Sequence, residues 1–301
     1  MSYLKTSALL TALLSVYGAG AHQGGAVMGT SSSVLEPRSS LSYTGIGSLL
    51  DTIMARGYLN VGTTGDYKPF TYLVKSDTAG DATEAQATIT TYVGADIDAA
   101  HSLSAALGLS QPPRLVPTKW ANVTSDLVAG KYDIAMGGVS LTLERARTVF
   151  FSTAIQRVGK TAAIRCADAG KYKNLASLDK PGVRVAVNPG GTNEAFNRAN
   201  LKAATVVPID DKNALYQAVL DNKADAVISD LIEVQLQVKM HQGDICLAEL
   251  DIPFNFEELG YAMPRDIVWK QFVDNWVDVQ LGSGAWNRTL DKWLGYMWPN
   301  I

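Results

Sequence analysis

Asp133-Ile134-Ala135-Met136-Gly137-Gly138-Val139-Ser140-Leu141-Thr142-Leu143-Glu144-Arg145 is the stretch on which the fold turns. A short apolar strand ends in two glycines, and a helical turn opens soon after. In open α/β sheets, ligands bind just beyond the carboxyl ends of the strands. Paired glycines at such an end let a ligand or a neighbouring backbone approach closely. Working outward, Leu59–Thr63 and Arg114–Pro117 read as further strands. Asp96–Leu107 has helical spacing, with Ile97, Ala100, Leu103 and Leu107 on one face. Val123–Ala129 reads as a helix ended by Gly130. This alternation predicts a mostly parallel sheet with helices on both faces.

Downstream the rhythm repeats. Val183–Val187, Val206–Ile209 and Ala226–Ile228 read as strands, and Thr192–Leu201, Asn213–Leu220 and Leu231–Met240 as helices. The fold class is therefore α/β in two lobes, with a ligand cleft between them. The aromatic-rich stretch Val268–Trp298 reads as helical and is expected to return to the first lobe. The expected boundaries are 44–155 for lobe 1, 156–256 for lobe 2 and 257–301 for the return. Crossovers are expected near Thr153–Gly159 and Phe254–Tyr261. Ser76–Thr91, rich in Ala, Thr and Asp, reads as a surface loop.

The N-terminus has the marks of a secretory signal peptide over 1–21: Lys5, an apolar run from Ala8 to Val16, then Ala19-Gly20-Ala21 as a cleavage site. Residues 22–43 read as a flexible leader. No later run reads as a membrane anchor, so the chain is expected to be secreted, extracellular or periplasmic. The 301 residues carry a net charge of −3. That argues against a broad nucleic-acid-binding face, which needs clustered Lys and Arg. The two cysteines, Cys166 and Cys246, read either as one disulfide or as two buried thiols. No cluster of metal ligands is apparent, and no cofactor is expected. Asn122 and Asn287 head glycosylation sequons, which matter only in a eukaryotic secretory pathway.

Three segments concentrate chemistry. Gly62-Thr63-Thr64-Gly65-Asp66-Tyr67-Lys68-Pro69-Phe70 ends the first strand, and Tyr67 and Phe70 read as cleft walls or core aromatics. In the opening stretch, Gly138 and Ser140 follow the strand, and the Arg145 guanidinium matches a carboxylate in bidentate fashion or pairs with Glu144. Asn188-Pro189-Gly190-Gly191-Thr192-Asn193-Glu194 follows a strand and opens a helix, whose free N–H groups favour an anion. Glu194 there is a capping carboxylate or a functional acid. With one anion-binding element from each lobe, the expected partner is a small carboxylate held between them.

At these residues the sequence resembles the extracellular solute-binding proteins for polar amino acids, of the periplasmic-binding-protein (type II) fold. Asp133–Gly138, Thr142–Arg145, Val149-Phe150-Phe151-Ser152 and Ala224-Asp225-Ala226-Val227-Ile228-Ser229-Asp230 carry the likeness. It implies that Arg145 binds a ligand carboxylate, that Thr192 assists, and that Asp230 takes an amino group. A narrower likeness, to the exported cyclohexadienyl dehydratases, rests on Gly62–Phe70, Gly159-Lys160-Thr161, Arg165-Cys166, Val187–Glu194 and Asn197–Leu201. It implies decarboxylating dehydration of prephenate or arogenate. Glu194 would be the general acid, and Lys160 would tune it or neutralise a second carboxylate. Tyr67, Trp120, Gly138, Ser140 and Asn193 would join Arg145, Thr192 and Asp230 around the substrate. The alternative is a non-catalytic binder of an amino acid or related acid.

Overall fold

The computed structural model describes residues 47–77, 88–248 and 253–299. The expected signal peptide at 1–21, the expected leader at 22–43 and the middle of the 76–91 segment lie outside the described residues.

Two five-stranded sheets organise the chain. In the first, the order is Arg114–Pro117, Asn60–Thr63, Ile134–Ala135, Ala262–Met263, Phe150–Phe151. The first three strands run parallel, and Ala262–Met263 is antiparallel to both of its neighbours. In the second, the order is Thr205–Pro208, Arg184–Val187, Ala226–Asp230, Lys160–Arg165, Ile245–Leu247. Its first three strands are likewise parallel, and Lys160–Arg165 is antiparallel to both neighbours. Both sheets are thus mixed, where the alternation predicts mostly parallel ones. Lys160–Arg165 enters straight from a crossover, not from a helix, so nothing imposes the parallel direction on it.

Between the sheets, Gln156–Val158 pairs antiparallel with Glu257–Leu259, so two chain passages lie side by side. The first core combines Leu59, Val61 and Ile134 with Trp269, Trp276, Trp286 and Trp293 of the C-terminal helices. Val268–Trp298 is not one helix: Ile267–Gly282 and Ala285–Leu294 are separated at Gly284, whose φ is +70°. In the second sheet the period-2 alternation of strand side chains builds two cores. Ala162, Ile164, Val185 and Ile228 face one side, and Ala163, Ala186 and Val227 the other. The surface loop read over Ser76–Thr91 is shorter than expected. Thr71–Asp77 and Thr88–Val93 pair antiparallel, so both ends of that segment are strand.

Cys166 and Cys246 form a disulfide 80 residues apart in sequence, tying the end of the Lys160–Arg165 strand to the edge strand beside it. A closed loop of this kind stabilises by about 2–4 kcal/mol. Replacing both cysteines by serine should lower the urea midpoint accordingly. An unchanged midpoint would mean the bond constrains nothing that unfolds.

Candidate active site

The cavity between the sheets forms at the carboxyl ends of their parallel strands. From the first sheet's side come Tyr67, Trp120, Gly138 and Ser140; from the second's come Thr192, Asn193 and Asp230. All seven were expected around a substrate.

Local structure explains each placement. Gly138 has φ +73°, and a Cβ there would lie 2.5 Å from the Tyr67 ring, so only glycine lets that ring seat. Buried Asp96 accepts the Gly138 N–H at 2.7 Å and the Tyr261 hydroxyl at 2.9 Å, pinning the glycine turn. Burial pushes its carboxyl up to about 7, against those hydrogen bonds. Trp120 is set by its indole N–H, which donates to Asp66 Oδ1 at 3.0 Å. Thr192 is the first residue of the helix Thr192–Asn200, after the turn at Gly190 and Gly191. Asp230 ends the fully buried strand Ala226–Asp230.

The polar groups form two clusters. Lys160 is fully buried. Its ammonium reaches Asp230 Oδ1 at 2.6 Å, Glu257 Oε2 at 3.0 Å and Thr192 Oγ1 at 3.1 Å. Burial pulls its pKa down, but Asp230 and then Glu257 outweigh it, and the net direction is up. The Tyr67 hydroxyl donates to the other oxygen of Asp230. Burial, then the charges of Asp230 and Glu233, hold that phenol well above its usual range. Ser140 and Thr192 hydroxyls meet at 3.2 Å across the cleft.

The second cluster holds two residues that sequence reasoning missed, Lys212 and Glu233. Both are buried, both line the cavity, and they pair at 2.7 Å. The other Glu233 oxygen accepts from Ser229, whose hydroxyl in turn accepts from Asn193 Nδ2 at 2.8 Å. The Lys212 ammonium sits 4.0 Å from the Tyr67 ring centre and donates to the Asp66 carbonyl at 3.3 Å. A signal existed for each. Glu233 lies one helical turn after Asp230, so both carboxyls project from the same end of that helix. Lys212 follows the carboxyl end of a parallel strand.

Arg145 and Glu194 are not in the cavity wall. They line an outer groove, which shares Trp120, Gly191 and Thr192 with the cavity. Arg145 donates from Nη1 to the Ser140 carbonyl at 2.8 Å. Glu194 accepts from the Gly190 N–H at 2.7 Å and pairs with Arg198 at 2.6 Å, one turn along its helix. Those hydrogen bonds, Gly190 first and Arg198 second, hold its carboxyl below the usual range. This is the geometry of a capping carboxylate, the other of the two roles the motif allows. Among the described residues, no three His, Cys, Asp or Glu side chains are grouped to hold a metal ion. None of the described helices is long and apolar enough to cross a membrane.

Two mixed α/β lobes enclosing a cavity of acids, cations and aromatic faces define a cleft-type ligand-binding protein. The chain belongs to the bacterial extracellular solute-binding proteins, family 3, whose family model matches residues 59–296. It is similar to the cyclohexadienyl dehydratase of Pseudomonas aeruginosa, with 40% identity over 252 residues, 84% of this chain and 88% of that protein. Among solved structures it is similar to the ancestral amino acid-binding protein AncCDT-1, described as a precursor of cyclohexadienyl dehydratase. That match has a TM-score of 0.71 and 32% identity, covering 82% of this chain and all of the other. An L-arginine-bound transporter substrate-binding protein, AbpA of Streptococcus pneumoniae, shares the fold at a TM-score of 0.71 and 24% identity, over 81% of this chain and 97% of the other.

Proposed function

We propose that this protein is an exported cyclohexadienyl dehydratase in which Glu233, not Glu194, is the proton donor. One observation carries the reading: a buried carboxyl lies in the cavity wall with a lysine beside it. A binder of amino acids needs a carboxylate for the ligand's amino group, and Asp230 serves that end. Glu233 is then surplus to binding, and the dehydration requires a donor. The 40% identity with a dehydratase over most of the chain supports the same reading.

The chemistry fits the wall. Prephenate carries a ring carboxylate and, on the opposite carbon, a hydroxyl. The carbon–carboxylate bond breaks and its electron pair enters the ring. The carbon–oxygen bond breaks, and the hydroxyl leaves as water with a proton from Glu233. Carbon dioxide and an aromatic product result, and one proton is consumed per turnover. A bound substrate dianion competes with Glu233 for Lys212. Once the proton has gone, Lys212 pairs with the new carboxylate. Lys160 holds Asp230 and Thr192 in place, and the signal-peptide pattern read at 1–21 supports export.

The direct test is incubation of purified protein with prephenate and with arogenate, following phenylpyruvate absorbance and phenylalanine release. Tight binding of an amino acid without turnover would favour the solute-binding alternative. Arg145 is assigned to carboxylate capture at the cleft mouth. Arg145→Ala should weaken binding of a non-reactive substrate analogue by about 1.5–3 kcal/mol, the value of a charged hydrogen bond. Unchanged affinity by calorimetry would leave Arg145 only its bond to the Ser140 carbonyl.

A further inference from the structure

We infer that the cavity around Lys68 is a second binding site, for a small organic monocarboxylate. It adjoins the reaction cavity, and the Lys212–Glu233 pair forms part of the wall of both. It opens to solvent, and Asp66, Lys68, Gln237, Met240 and His241 line it beside that pair.

Lys68 is the feature that demands an occupant. Its side chain is only 4% exposed, yet its ammonium has no hydrogen-bond acceptor among the described residues. It rests 4.2 Å from the Tyr72 ring centre, and Trp298 lies beyond that ring. Aromatic faces offset only part of the loss of water around a charge. Burial lowers the Lys68 pKa to about 8; Lys212 pushes the same way and Glu233 opposes. Next to it, burial and then the charge of Lys68 lower the pKa of His241.

The rest of the wall selects among anions. Lys212 is already paired with Glu233, which leaves one free cation among the described residues of the wall. Asp66 and Glu233 repel a multiply charged ligand, so phosphate esters and dicarboxylates are disfavoured. Gln237 supplies a neutral amide and Met240 an apolar surface, while the Gln217 amide already donates to Asp221 Oδ1 at 2.8 Å. A single carboxylate carrying an organic group meets all of these. The aromatic 2-oxo acid that the proposed reaction yields is of that class.

The test is calorimetric titration of wild type, Lys68→Met and Lys68→Arg with phenylpyruvate. Methionine keeps the stem over Tyr72 without charge, and arginine keeps the charge. Wild type and the arginine variant should each bind two molecules per chain; the methionine variant should bind one, its second affinity falling at least tenfold. The same number of molecules bound with the same affinity by wild type and Lys68→Met would overturn the site. So would two tight molecules in Lys68→Met, or weak, non-saturating uptake equal in all three proteins. Only the first of the two molecules rests on the dehydratase reading. A protein that does not turn over prephenate, yet loses one bound molecule on Lys68→Met, refutes the dehydratase and keeps the site.

Discussion

Glu233→Gln should lose about 10²–10⁴-fold in turnover of prephenate, the usual effect of removing a positioned proton donor. Binding of a non-reactive analogue should change little. Glutamine keeps the shape of the wall: its carbonyl still accepts from Lys212, and its amide can donate to Ser229. What it lacks is an acidic proton. Glu194→Gln is the control. Its amide oxygen can still accept from the Gly190 N–H, and the pair it loses with Arg198 is a helix-surface contact with Arg198 exposed. Such pairs contribute about 0–1 kcal/mol. Turnover by Glu194→Gln should stay near wild type. If the two variants exchange these phenotypes, the donor is Glu194 and the cavity wall has been misassigned.

Lys160→Met should destabilise the fold by about 3–5 kcal/mol, the range for removing one member of a buried ion pair. The lysine is fully buried between Asp230 and Glu257, and methionine would leave both carboxylates without their shared cation. Its folded pKa is raised, so the stabilisation is fully present below the unfolded lysine value of about 10.4 and is lost as pH rises through the folded value. Urea unfolding should therefore show a constant gap between wild type and variant across neutral pH, narrowing only in strong alkali. A gap below about 1 kcal/mol at pH 7 would mean that the two carboxylates find other partners or take up protons.

The strands that deliver residues to the cavity were legible because they carry a simple signal: short apolar runs ended by Gly, Asn or Asp before a helix. Asp230, Thr192 and Gly138 all stand at such ends. Lys160–Arg165 was not read as a strand, because Lys-Thr-Ala-Ala-Ile-Arg has neither alternation nor a bulky run, and its antiparallel place depends on partners distant in sequence. The same limit governed the acid. Glu194 stands in a glycine-rich helix start, the more conspicuous motif; Glu233 stands in an ordinary-looking helix. Choosing between them required knowing that Arg198 reaches back to one and that the wall of a cavity forms around the other. Helical spacing gives the direction of a side chain, but not what it meets.

Tyr67 binds Asp230 and Ser140 meets Thr192, each contact joining the two lobes through groups expected to hold the ligand, and Lys212 reaches the Asp66 carbonyl across the same cleft. These contacts and a ligand therefore compete for the same groups. An incoming molecule must displace contacts that already satisfy the cleft, so only molecules offering better partners bind well. The apparent affinity falls by the fraction of chains in the form that keeps these contacts; tenfold dominance of that form weakens binding about tenfold, or about 1.4 kcal/mol. Tyr67→Phe, which removes one of those contacts and keeps the ring, would quicken ligand entry.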